Sequence, residues 1–180
     1  MTEQEIRASL ALAYRIFAKL KMDDLTYTHL SARIPGKNEF FIFPFGMLFE
    51  EVTASSLLRV SLSGEILSGS EYQYNKTGYV IHGSIYDARP DINAIFHLHT
   101  TAGVAVSALK EGLVSMSQFS FHFHNKISYH NYNSLALDYK AQGKELVEDL
   151  GKNKTLILRN HGTLCCGETI QEAFYFIPTI

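Results

Sequence analysis

Between the helix stop Arg89-Pro90 and a small-residue stretch from Thr101 runs Ile92-Asn93-Ala94-Ile95-Phe96-His97-Leu98-His99, a mostly apolar run with strand length and no polar alternation. A strand that reads apolar on both faces must be covered on both faces, so it belongs in the middle of a sheet with layers above and below it. The rest of the chain supplies those layers. Thr2-x-x-Glu5 forms a capping box ahead of Ile6, Leu10, Ala13, Tyr14, Phe17 and Leu20, which recur at helical spacing and predict an amphipathic helix over 3–21. Residues 28–43 read as two strands around the turn Pro35-Gly36-Lys37-Asn38, with Pro44-Phe45-Gly46 breaking the second. A helical turn follows Thr53, and 57–61 and 65–67 pair around Ser63-Gly64.

Thr77 is the predicted cap of a helix over 78–88, with Val80, Ile81, Ile85 and Ala88 inward and Arg89-Pro90 as its end. A helix over 101–109 follows the apolar strand, and 112–134 is aromatic and His-rich without a clear period. A helix over 135–150 ends at Gly151, 155–159 is a strand, Asn160-His161-Gly162 a break and 163–166 another strand. Thr169-x-x-Glu172 opens a last helix burying Ala173, Phe174 and Ile177. Strands interleaved with helices and hairpins predict a layered α/β domain with a mixed sheet, one domain over 1–180. The apolar end 174–180 predicts docking against another surface or a chain that continues further.

Composition closes off several classes of function. With 46% hydrophobic and 19% charged residues, 12 Phe and 10 Tyr, the 180-residue chain has the makings of a core and is neither disordered nor fibrous. A net charge of −2 gives no basic surplus for nucleic acid. No apolar run approaches the roughly 20 residues that span a bilayer. The acidic start Met1-Thr2-Glu3-Gln4-Glu5 has no secretory pattern, and two adjacent cysteines, Cys165 and Cys166, make no disulfide framework. A cytoplasmic protein that neither binds nucleic acid nor inserts into membranes is the expectation, and the thiols read as buried.

Eight histidines are the compositional oddity. His97 and His99, two apart on a strand, face the same side and can reach one ion from a rigid support. His161 follows another strand directly and is placed to complete a set of three, a ligand count of catalytic zinc with an open fourth position. Such an ion polarises a carbonyl and stabilises an enediolate. Spacing alone leaves alternatives: a solvated or hydrogen-bonded pair, or a rival cluster at His122, His124 and His130.

Lys76-Thr77-Gly78-Tyr79-Val80-Ile81-His82-Gly83-Ser84-Ile85-Tyr86-Asp87-Ala88-Arg89-Pro90-Asp91, followed by Ala94-Ile95-Phe96-His97-Leu98-His99-Thr100 and by Leu156-Ile157-Leu158-Arg159-Asn160-His161-Gly162, resembles the class II aldolase/adducin family over essentially all of 3–177, closer to its adducin-like branch. The resemblance implies a three-layer α/β/α sandwich around a mixed, largely antiparallel sheet. It implies Zn2+ or another divalent metal on His97, His99 and His161, a small hydroxy-carbonyl substrate, and a homo-oligomer, in many members a tetramer. It also implies further C-terminal helices that this chain does not contain.

The departures from the pattern bear on activity. The family's acid/base Glu falls at Gly78, which has no side chain to move a proton, so the catalytic residue is unidentified. Glu65 and Glu71 are near it in sequence only. The phosphate-holding segments correspond to Thr28-His29-Leu30-Ser31, Phe45-Gly46 and Lys76-Thr77. His29, Gly46, Lys76 and Thr77 are therefore the substrate-binding candidates; Thr77 as a simple cap and Lys76 as a solvated charge are the plainer readings. Arg89 reads as a helix-end charge near free carbonyls, Asp91 as a turn residue, and Tyr72, Tyr74 and Tyr79 as packing residues. Two functions follow. One is a metal-dependent lyase, epimerase or dehydratase working through a metal-stabilised enediolate. The other is an inactive, oligomerising adducin-head-like protein.

Overall fold

The Thr2 hydroxyl accepts the Glu5 N–H at 3.3 Å and the Glu5 carboxylate accepts the Thr2 N–H at 2.7 Å, closing the predicted capping box at the first helix. In the computed structural model, which describes residues 1–69, 71–132 and 139–179, that helix is α1, Glu3–Lys19. It buries Ile6, Leu10, Ala13, Tyr14 and Phe17 as the spacing predicts. Leu20 is instead its exposed C-cap, because the chain turns away at Lys21, whose φ is +55°.

Eight strands form one sheet: β1 His29–Arg33, β2 Glu39–Ile42, β3 Leu58–Ser61, β4 Ile66–Ser68, β5 Ala94–Leu98, β6 Ile127–His130, β7 Thr155–Leu158 and β8 Gly162–Gly167. Their order is β4-β3-β2-β1-β5-β8-β7-β6. Every pairing is antiparallel except β6 with β7, so the sheet is mixed and largely antiparallel. All five residues of β5 are buried, and it lies between β1 and β8, in the interior position its apolar pattern requires.

The other helices are α2 Lys76–Ala88, α3 Thr101–Ala108, α4 Gln118–Phe121, α5 Tyr139–Leu150 and α6 Ile170–Phe176. Helices α1 and α6 pack together on one face of the sheet, where Phe17 meets Phe96 edge-on at 5.9 Å and Phe174 at 4.9 Å. Helix α2 packs against β1 and α5, and its His82 reaches His29 on the opposite face. Two helical layers around a sheet give the expected α/β/α sandwich.

Three local expectations are corrected. Asn75, not Thr77, caps α2: its side-chain oxygen accepts the N–H groups of Thr77 at 3.1 Å and Gly78 at 3.5 Å, so the helix starts two residues earlier. Its inner face carries Gly78, Ile81, His82, Gly83, Ile85 and Tyr86; Val80 is half-buried and Ala88 exposed. At α6 the box is half made, since Thr169 caps Glu172 but the Glu172 carboxylate takes the Glu168 N–H instead. The patternless 112–134 holds α4 and β6. The predicted helix over 135–150 is described from Tyr139, its earlier residues lying outside the described ones, and it ends at Gly151 with φ +55°.

Cys165 and Cys166 are buried free thiols on β8, and burial pushes the Cys165 thiol up to about 12. Tyr74 and Tyr79 donate to the carbonyls of Gly64 and Leu62 at 2.7 Å each, which fixes them as packing residues. Among the described residues no helix is long and apolar enough to cross a membrane.

Candidate metal centre

The register of the sheet brings the two halves of the predicted triad together. Within β5, His97 faces the α2 side, and His99 follows just past the strand end on the same side. Across from them β7 and β8 form a tight hairpin whose turn is Arg159-Asn160-His161, with Asn160 at φ +58°. Gly162 lets this hairpin close against β5: a Cβ there would lie 2.7 Å from the Leu98 carbonyl oxygen and 2.9 Å from the His99 ring. Residue 161 therefore comes up beside residues 97 and 99.

The three Nε2 atoms converge. They are 2.9 Å apart for His97 and His99, 3.1 Å for His97 and His161, and 3.2 Å for His99 and His161. Nitrogens bound to zinc at about 2.0–2.1 Å in a tetrahedron stand roughly 3.3 Å from one another, so the set spans about three corners of such a polyhedron.

Their outer nitrogens fix the tautomers. His97 Nδ1 faces the Thr163 carbonyl oxygen at 2.9 Å, and His99 Nδ1 faces the Asp24 carboxylate at 2.9 Å. Both partners only accept, so each Nδ1 carries the proton, and each Nε2 of a neutral ring presents a lone pair to the centre. Burial, reinforced by the neighbouring imidazoles, holds His97 well below the ordinary histidine value, and burial with His99 beside it holds His161 down at about 4. The His97 and His99 lone pairs this close repel one another, and a cation shared with His161 Nε2 would turn that repulsion into attraction. The residues present therefore fit a divalent metal ion. Tyr132 completes the wall, its ring 3.9 Å from that of His161.

The sequence-predicted substrate residues divide. His29 pairs directly with His97 across β1 and β5, is 2% exposed, and its ring lies 4.9 Å from the His97 ring. Lys76 is exposed at the start of α2. Thr77 is half-buried and spends its hydroxyl on Asn75 at 2.7 Å, and with the Thr77 and Gly78 N–H groups also capped, the helix start offers little to an anion beyond the Lys76 charge. Gly46, at φ +96°, lines a surface hollow with Pro44, Phe45, Met47, Glu51 and Tyr72.

The rival histidines do not form a cluster. His130 is buried against Asp149 at 2.7 Å, His124 faces Ser115 at 3.2 Å, and His122 lies edge-on to Tyr175. Among the described residues, His97, His99 and His161 are the group whose ligand atoms lie close enough together to hold an ion. Sequence reasoning missed Asp24, Tyr132 and His82. Tyr132 lies outside the motifs, and Asp24, four residues before Thr28, carries no spacing that ties it to His99. His82 sits four residues after Gly78, one helical turn on the same face, but that spacing does not reveal its partner His29.

A sheet between helical layers that carries three converging imidazoles defines an α/β/α protein with a candidate metal site. The chain belongs to the Class II Aldolase and Adducin N-terminal domain family, whose profile matches residues 8–180. A protein of Pseudomonas aeruginosa described as a candidate class 2 aldolase is 43% identical over 99% of this chain and 68% of its own length. Alpha-adducin of Rattus norvegicus is 42% identical over 99% of this chain, which spans only 24% of that much longer protein. The solved L-fuculose 1-phosphate aldolase of Glaciozyma antarctica PI12 is 30% identical, with a TM-score of 0.89 over 98% of this chain and 69% of that one.

Proposed function

We propose that this chain is the metal-binding domain of a class II aldolase-type enzyme that cleaves, epimerises or dehydrates a small, sugar-like hydroxy-carbonyl compound. The observation that carries the reading is the convergence of three Nε2 atoms within 3.2 Å of one another. His97, His99 and His161 would hold Zn2+ or another divalent cation. Such an ion supplies Lewis acidity, drawing electron density from a carbonyl oxygen and steadying the charge released when a neighbouring C–H or C–C bond breaks.

The chain's own groups do the rest. Thr163 and Asp24 keep two imidazoles turned inward, and Tyr132 shields the His161 ring from water. Lys76 offers a positive charge at the α2 start to an anionic substrate group, and His29 stands beside His97 on the substrate side. The same reading has the protein in the cytoplasm as a homo-oligomer, the state that in many members of the family is a tetramer. Its partners are then small molecules and copies of itself, with no nucleic acid bound and no insertion into a membrane.

One observation favours a second reading, that of an adducin-like domain without chemistry: no carboxylate stands at position 78. Metal analysis separates the two from a failed site. About one zinc per chain is expected, lost in His97→Ala with the fold retained by circular dichroism. Equal zinc in wild type and His97→Ala would overturn the metal site. Turnover of a ketose 1-phosphate panel to aldehyde products, lost in the same variant, supports the enzyme; bound zinc without turnover of the panel supports the adducin-like role.

A further inference from the structure

The side chain that position 78 lacks has a substitute in space. A Cβ on Gly78 would stand 2.7 Å from Cδ2 and 2.8 Å from Nε2 of His29, closer than a real Cβ contact permits. Any side chain at 78 and the His29 ring therefore exclude one another. His29 comes from β1, lies directly across from His97 and packs its ring on it. An imidazole from the sheet thus occupies the volume beside the triad that a side chain from the helix would take. His29 is not itself a member of the ligand set.

The ring is held by a buried chain of polar groups. His29 Nδ1 lies 2.8 Å from His82 Nε2, His82 Nδ1 bonds the Ser31 hydroxyl, and Ser31 Oγ lies 2.8 Å from the Tyr86 hydroxyl. All four residues are at most 2% exposed, so a charge on either ring would have almost no water to meet it. Neutral, the chain has two self-consistent directions. If Tyr86 donates to Ser31, Ser31 donates to His82, His82 donates to His29, and His29 Nε2 carries a hydrogen. In the reverse direction His29 Nε2 carries a lone pair. Both states make every link within the chain, the reverse one leaving the Tyr86 O–H to donate outside it, and neither puts a charge in the interior.

We propose that His29 is the substrate-facing hydrogen-bonding residue of this site, standing in for the side chain Gly78 lacks. His82, Ser31 and Tyr86 are positioning residues whose hydrogen-bond direction decides whether His29 Nε2 donates to an oxyanion or accepts from a hydroxyl. The ligand half of this inference rests on the metal reading above; the Gly78–His29 exchange does not.

The exchange is read on metal-free protein. Gly78→Ala lowers the melting temperature in the wild-type background and raises it or leaves it unchanged in His29→Ala, where the helix gains from alanine and the clash is gone. An equal loss in both backgrounds overturns the exchange. For the ligand half, acetohydroxamate is titrated into zinc-loaded protein as a small oxyanion probe. His29→Ala weakens its dissociation constant about tenfold with zinc content unchanged, and His29→Gln recovers part of the loss. In long-range 1H–15N spectra the probe shifts the ring nitrogens of His29 and His82 together, and Tyr86→Phe uncouples them. Unchanged probe affinity in His29→Ala, or ring nitrogens that do not respond, overturns the role of His29 while leaving the metal reading intact. Wild-type protein that takes up no zinc overturns the metal reading and this ligand half together, with the Gly78–His29 exchange judged on its own result.

Discussion

A carboxylate oxygen of Asp24 lies 2.9 Å from Nδ1 of His99, a residue 75 positions further along the chain. The contact joins the loop after α1 to the end of the central strand and leaves His99 Nε2 free to face its partners. Carboxylate partners of ligating imidazoles typically contribute 10–100-fold in metal affinity. Asp24→Asn is expected to weaken zinc binding by about that factor in competition with a chromophoric chelator. Because the Asp24 side chain is 44% exposed, the melting temperature of the metal-free protein should hardly move.

Tyr14 ties α1 to two strands. Its hydroxyl accepts the Leu30 N–H at 2.9 Å and the Phe43 N–H at 3.4 Å and donates to the Leu30 carbonyl, with its ring against Phe43 and Phe49. Burial holds the hydroxyl far above the ordinary tyrosine value, so it keeps its proton. Tyr14→Phe keeps the ring but strands buried backbone groups, and a loss of about 1–3 kcal/mol is expected in urea unfolding with an unchanged slope.

Arg89 grips Asp91 with both ends of its guanidinium, at 2.8 and 2.7 Å, and donates to the Gly151 carbonyl at 2.6 Å, joining the end of α2 to the end of α5. This matches the helix-end role read from sequence, with the carbonyls belonging to α5. The Arg89 hydrogen bonds hold the Asp91 carboxyl below its usual value. A depressed carboxylate contributes stability above its unfolded value near ~4 and loses it as pH falls through the lower folded value. Asp91→Asn should therefore melt below wild type at pH 7, and the gap should close as the pH falls below the ordinary aspartate value.

The layers were legible because burial imposes a period. Ile6, Leu10, Tyr14 and Phe17 are a helix stripe, and 92–99 is apolar on both sides because both sides are covered. His97 and His99 were legible together because alternate strand residues share a face, and His161 because a strand leads straight into it. Other features depend on partners that spacing does not encode. Asn75 and Thr77 both have capping side chains, and only the backbone path decides which one is outside the helix. The parallel pairing of β6 with β7 joins segments separated by all of α5. His82 lies in a run of inward apolar residues and was overlooked because its value comes from His29, more than fifty positions away.

The strand that bears His97 has hydrogen-bonded neighbours along both edges, β1 on one side and β8 on the other. Its amides can meet solvent only when the whole domain opens, so they should be among the last to exchange in deuterium. An ion arriving at this site would thus find its donors already in place, and none of its affinity would be spent on putting the backbone in order.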